Sequence, residues 1–175
     1  QDRLGPNRTG WQGTLQSIYE YQSAVCRLTG LECANASLYD GGTAVFEAAS
    51  MSVRLTNRGR IVCHPSLSPI YRKMLDTHAA QLPVDIVEGS DPTDAACVIV
   101  QNPGFLGDVE DFSSLAAECH AAGALLVVSF YPISLGLLKT PGEMEADIAV
   151  AEGQSLGLPL GFGGPYLGIM TARKA

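Results

Sequence analysis

Positive charge is scarce in this 175-residue chain: eleven Lys and Arg stand against eighteen Asp and Glu, a formal net charge of −7. A chain of that sign lacks the basic patch that neutralises phosphates, which excludes a general nucleic-acid binder or a protein held on an anionic membrane. Small molecules and other proteins are the partners that remain. Long hydrophobic runs are also missing, and no stretch approaches the roughly 20 apolar residues that span a bilayer. The first residues hold no basic segment followed by an apolar run, so no signal peptide is expected and the chain reads as soluble and cytoplasmic. Histidine occurs three times, unclustered, and there is no Cys-x-x-Cys pair, so nothing sets up a metal centre. The cysteines, Cys26, Cys33, Cys63, Cys97 and Cys119, are odd in number and widely spaced. They fit reduced thiols in apolar stretches better than a disulfide framework.

What the chain has is an apolar fraction of 46%, with 19 Gly and 10 Pro, which is the composition of a packed domain that can bury a continuous core. Residues 1–11, polar and rich in Gly, Asn and Arg, read as a disordered or added lead to a domain running from 12 to 175. A stop at Lys174-Ala175, directly after a strand-like run, reads as a partial domain.

Helical spacing of Leu15, Ile18, Tyr19, Val25 and Leu28 predicts a helix over Thr14–Thr29 with Gly30 at its C-terminal cap. A second helix is predicted from Gly41 to about Leu55, with Asp40 as N-cap. Short apolar runs and helical segments then alternate. Strands are expected at 60–63, 84–87, 96–101, 124–130 and 148–151, and helices near 67–81 and 111–122. Runs such as Leu125-Leu126-Val127-Val128 are apolar without a break, as in strands covered on both faces, so the architecture predicted is a three-layer α/β sandwich around a mostly parallel sheet.

In such a sheet ligands gather at the carboxyl ends of the strands. Three segments qualify. Ser37-Leu38-Tyr39-Asp40-Gly41-Gly42-Thr43-Ala44 is a small-residue turn entering a helix, and its backbone N–H groups suit a phosphate. A capped helix with glycines for close packing reads the same residues equally well, and Asp40 would repel an anion. The second segment is Ser129 to Ser134, at the end of a buried strand. The third runs from Ala146 through Glu152-Gly153-Gln154-Ser155 into the glycine-rich stretch that ends at Tyr166, where close approach to a ligand or another chain and plain turn chemistry are both open.

The runs Gln12-Gly13-Thr14-Leu15-Gln16, Tyr21-Gln22, Ala34-Asn35-Ala36-Ser37-Leu38-Tyr39-Asp40, Gly107-Asp108-Val109-Glu110-Asp111-Phe112, Pro141-Gly142-Glu143, Ala146-Asp147-Ile148 and Gly153-Gln154-Ser155-Leu156-Gly157-Leu158-Pro159-Leu160-Gly161-Phe162-Gly163-Gly164-Pro165-Tyr166 appear in order across almost the whole chain after Trp11. Together they resemble the P-protein of the glycine cleavage system. The stretch Gly5 to Trp11 departs from the Thr-Pro-Tyr-Gln run that members of this type usually carry.

That resemblance implies the large domain of a fold-type-I pyridoxal phosphate transferase, with phosphate at the start of the Gly41 helix. It implies work on glycine, which is decarboxylated while its aminomethyl group passes to the lipoyl arm of H-protein. Some members divide into two subunits, and the catalytic type carries a lysine that forms a Schiff base with the cofactor. Lysine occurs here only as Lys73, Lys139 and Lys174. Anchoring on Pro159 and Gly163-Gly164-Pro165 places Gln154 at the lysine position, and Phe130-Tyr131-Pro132 stands where an acid should face the pyridine nitrogen. The resemblance is therefore to the first, non-catalytic subunit type of glycine dehydrogenase (decarboxylating), an oxidoreductase. It implies a heterotetramer with catalytic subunit 2, no covalent cofactor in this chain and pyridoxal phosphate in the partner. Ser37, Gly41, Gly42, Thr43 and Gln154 are the degenerate equivalents of a cofactor site, with no catalytic residue and no metal.

Two rival readings are a free-standing pyridoxal enzyme using Lys139 and a module holding a phosphate ligand at Gly41-Gly42. Lys139 precedes the strand it should follow, and no G-x-G-x-x-G follows a strand. His64, placed after a strand, reads as a stacking or acid-base group or as a structurally bonded one, and His78 and His120 read as satisfied groups in helices. Asp108, Glu110 and Asp111 read as capping carboxylates.

Overall fold

The computed structural model describes residues 7–174, with side chains from residue 12 onward. The elements are α1 (Asn7–Thr29), β1 (Cys33–Ala34), α2 (Gly41–Thr56), β2 (Arg60–Cys63), α3 (Pro69–Ala79), β3 (Asp85–Glu88), β4 (Ala95–Asn102), α4 (Ser113–Ala122), β5 (Leu125–Phe130), β6 (Ile148–Glu152) and β7 (Gly168–Ala172). Short 3-10 turns follow β5 at Pro132–Gly136 and β6 at Gln154–Leu156.

Most helix ends have a local cause. Asp40 is extended, and its carboxylate accepts the Thr43 N–H at 2.7 Å, which starts α2 where expected. Asn57 ends α2 in the left-handed region, and Gly30 at φ 71° ends α1 with its N–H on the Cys26 carbonyl. Helix α3 starts two residues later than predicted because Ser68 is its cap and Pro69 needs no amide partner at the first helical position. Helix α1 begins at Asn7, well before Thr14, since Gly10 and Gly13 lower the local helix propensity and hid its first turns. Of the expected lead, residues 1–6 lie outside the described residues.

The strands form one seven-stranded sheet in the order β1-β7-β6-β5-β4-β2-β3. Strands β2 to β6 run parallel, and β7 is antiparallel to both β6 and β1. On one face α1, the Leu31 that follows it, and α4 bury Val25, Leu31, Leu115, Ala116 and Cys119 against Val98, Val100, Leu126 and Val128. On the other face α2 and α3 bury Val45, Ala48 and Leu75 against Cys97, Ile99, Val127 and Val150. Alternate residues of β4 and β5 thus serve opposite cores, as the pleat requires of a central parallel strand. This is the three-layer sandwich expected. The five cysteines are free thiols, and burial pushes the Cys97 and Cys119 thiols up to about 12.

The Pro141-Gly142-Glu143 run has a packing role. Gly142 donates its N–H to the Thr29 carbonyl at 2.8 Å, and a side chain there would strike the Gly30 backbone. Glu143 accepts the Thr140 N–H at 2.8 Å, so this turn holds the end of α1 against the sheet.

Candidate functional site

The carboxyl ends of β2, β4, β5 and β6 lie along one edge, and β7 begins there, since Gly168 pairs with Glu152. The chain crosses the same edge after β1, where Leu38 bridges Gly168, and then enters α2. Strand pairing therefore brings together residues far apart in sequence: Tyr131 after β5, Glu152 at the end of β6 with Gln154 just beyond it, and Gly41 at the start of α2.

Tyr131, Glu152, Gln154, Ser155, Leu158 and Leu160 line a pocket of about 220 Å³. It opens beside a shallower one of about 420 Å³ formed by Gln154, Leu160, Gly161, Phe162, Gly163 and Tyr166. The two positions singled out in the sequence, Tyr131 and Gln154, thus share one pocket, and no lysine lines it. Gln154 donates from its side chain to the Pro159 carbonyl at 3.3 Å, and its backbone N–H goes to Glu152 at 3.0 Å.

Ser37, Gly41, Gly42 and Thr43 do not line this pocket. Of these, Gly41 alone is joined to it, through Glu152, whose Oε2 accepts the Gly41 N–H at 3.0 Å and whose Oε1 also accepts the Leu167 N–H at 2.9 Å. Sequence reasoning gave Glu152 no role. Its signal was a lone charge closing the apolar run Ile148-Ala149-Val150-Ala151 at the end of a strand. Gly41 is tightly packed: an added Cβ would lie 2.5 Å from the Tyr71 hydroxyl and 3.0 Å from the Glu152 Cβ. Burial, then the Glu152 and Asp40 charges, push Tyr71 up to about 12, so it stays a neutral phenol at ordinary pH. Ser37 is exposed and holds φ 124°, which an L residue rarely adopts.

The histidines are engaged elsewhere. His64 Nδ1 accepts the Ser66 N–H at 3.2 Å, and its ring meets Phe112 edge-on at 5.4 Å. His78 stacks on Phe46 at 5.0 Å, and His120 Nε2 lies 2.9 Å from Asp147. Lys139 reaches Asp111, whose carboxyl is drawn down to about 2 chiefly by that hydrogen bond and also accepts the Ser113 N–H at 3.1 Å. The N-cap of α4 is Phe112, whose side chain makes no capping bond, so of the three expected capping carboxylates only Asp111 meets a helix-start amide, and the amine of the rival reading is committed to an exposed ion pair away from the pocket. Among the described residues there is no His, Cys, Asp or Glu cluster suited to a metal, and no helix is long and apolar enough to cross a membrane.

Comparison with known proteins agrees with this topology. The family model described as glycine cleavage system P-protein matches residues 10–175. The chain belongs to the glycine cleavage system P-protein family. A probable glycine dehydrogenase (decarboxylating) subunit 1 of Citrifermentans bemidjiense is 54% identical over 177 residues, covering 93% of this chain and 40% of the relative. A crystal structure of glycine decarboxylase (P-protein) of the glycine cleavage system, in inhibitor-bound form, superposes with a TM-score of 0.89 at 40% identity over 99% of this chain and 42% of that one. A putative L-allo-threonine aldolase of Listeria monocytogenes, 16% identical, superposes at 0.67 over 89% of this chain and 48% of its own, and shares the fold alone. The architecture is that of the fold-type-I pyridoxal phosphate enzymes. The chain spans about 40% of the length of the curated relatives it matches.

Proposed function

We propose that this P-protein chain belongs to the supporting, cofactor-free subunit of glycine dehydrogenase (decarboxylating). In this reading it works with a catalytic subunit 2, in a cytoplasmic heterotetramer, on glycine and the lipoyl arm of H-protein. The observation that carries the reading is the pocket shared by Tyr131 and Gln154. Pyridoxal phosphate needs an amine for its aldehyde, an acid for its pyridine nitrogen and free donors for its phosphate. An amide cannot form an imine, and the Tyr131 hydroxyl is no carboxylic acid. The one carboxylate present, Glu152, is held by three backbone N–H groups, so the residues do not fit the group.

The test is reduction with borohydride in the presence of pyridoxal phosphate, followed by mass spectrometry. No pyridoxyl adduct is expected on Lys73, Lys139 or Lys174, and a stoichiometric adduct on any of them would sink the reading.

A role at an interface fits the surface of the same edge. Leu160 is 80% exposed and Phe162 is fully exposed, beside Leu156, Leu158 and Tyr166. Tyr39, Leu106 and Leu137, on the loops after β1, β4 and β5, are also exposed. Several apolar side chains exposed together on one loop, as at 156–166, usually mark an interface. Binding of the catalytic subunit should slow amide hydrogen exchange over residues 153–166 by about tenfold or more. Equal exchange with and without it would mean the loop faces something else.

A further inference from the structure

Three backbone amides from three segments of the chain converge on one carboxylate: Gly41 at the first residue of α2, Gln154 in the turn after β6, and Leu167 before β7 all donate to Glu152. A helix start offers unpaired N–H groups and a partial positive charge, so it is a natural seat for an anion. Hydrogen bonds to a charged acceptor are the stronger kind, and three of them fix the side chain in place. Asp40 takes the Thr43 N–H. Two of the first three amides of the helix are thus taken by the chain's own carboxylates, and the space at Gly41 is closed by Tyr71 and Glu152, 2.5 and 3.0 Å from where a Cβ would stand.

We propose that Glu152 is a built-in anion that seals the phosphate seat of this fold. Its carboxylate consumes the donors a phosphate ester would use, and the two negative groups cannot share them. Exclusion of the cofactor is then a property of position 152 as well as of Gln154 and Tyr131. The inference rests on the reading of this chain as cofactor-free and names a separate physical cause for it.

The experiment is a titration of the whole chain with inorganic phosphate, followed at the amides of Gly41, Gln154 and Leu167 by nitrogen-15 NMR. The proteins compared are wild type, Glu152→Ala, and the double variant Asp40→Ser with Glu152→Ala, in which serine keeps a helix cap without the charge. Wild type is expected to give no saturable shift at these amides. Glu152→Ala should gain one, and the double variant should bind about tenfold more tightly because one repelling charge is gone. If Glu152→Ala folds poorly, its stability is compared in phosphate and in chloride at equal ionic strength, and rescue by phosphate alone is expected. Saturation of the wild-type amides overturns the seal. So does a folded double variant without phosphate shifts, or equal stability of Glu152→Ala in the two salts. A pyridoxyl adduct on a lysine would instead overturn the cofactor-free reading, whatever the phosphate result.

Discussion

Alone, the chain should catalyse no exchange of labelled bicarbonate into glycine. Added in its full-length form to the catalytic subunit and lipoylated H-protein, it should restore the exchange from near background to the level of the complete enzyme. Loss of carbon dioxide from glycine leaves an electron pair that must be delocalised through a group bonded to the amino nitrogen. Gln154 cannot tether such a group, and Tyr131 cannot supply the acid that would draw electrons toward a pyridine ring. Gln154→Lys by itself should also stay inactive, because Tyr131 and the Glu152 carboxylate are unchanged. Exchange by the lone chain, or full activity of the catalytic subunit without it, would show that the supporting role is wrong.

Ile99→Ala should have the largest effect on stability, costing about 2–5 kcal/mol. Ile99 is fully buried at the centre of β4, on the face that carries α2 and α3, and its neighbours in the sheet are fixed on both sides. A rigid sheet collapses little into the space left, so both the lost burial and the cavity count. Against a typical total of about 5–15 kcal/mol the loss is large. Urea unfolding followed by circular dichroism measures it, and a midpoint within error of wild type would mean that the sheet relaxes around the gap.

The two variants act on different layers. Position 154 sits at the edge, where backbone pairing is already complete, so Gln154→Lys should leave the urea midpoint nearly unchanged. Position 99 lies in the core beneath α2. Its loss should loosen the helix whose first amide Glu152 holds, and with it the edge that carries the pocket.

Much of this molecule was legible in the order of its residues. Continuous apolar runs at 96–101 and 124–130 mark strands buried on both faces, and alternation with helical spacing implies a parallel sheet with covered sides. Asp40 and Gly30 mark helix ends because capping is a local event, governed by one side chain or one backbone angle. Gln154 and Tyr131 could be singled out through the resemblance to the P-protein, whose anchors at Pro159 and Gly163-Gly164-Pro165 imply a lysine and an acid where these two stand. Tertiary structure alone decided the rest. Strand β1 is two residues long and pairs with a strand some 140 residues away, so no local periodicity could announce it. The antiparallel direction of β7 follows from a turn that folds the glycine-rich stretch back along β6. Glu152 looked like an unremarkable charge at the end of a strand. It becomes the centre of the edge because the distant Gly41 and Leu167, just before the returning strand, bring their amides within 3.0 Å of it, beside that of its near neighbour Gln154, and the first two depend on long-range pairing.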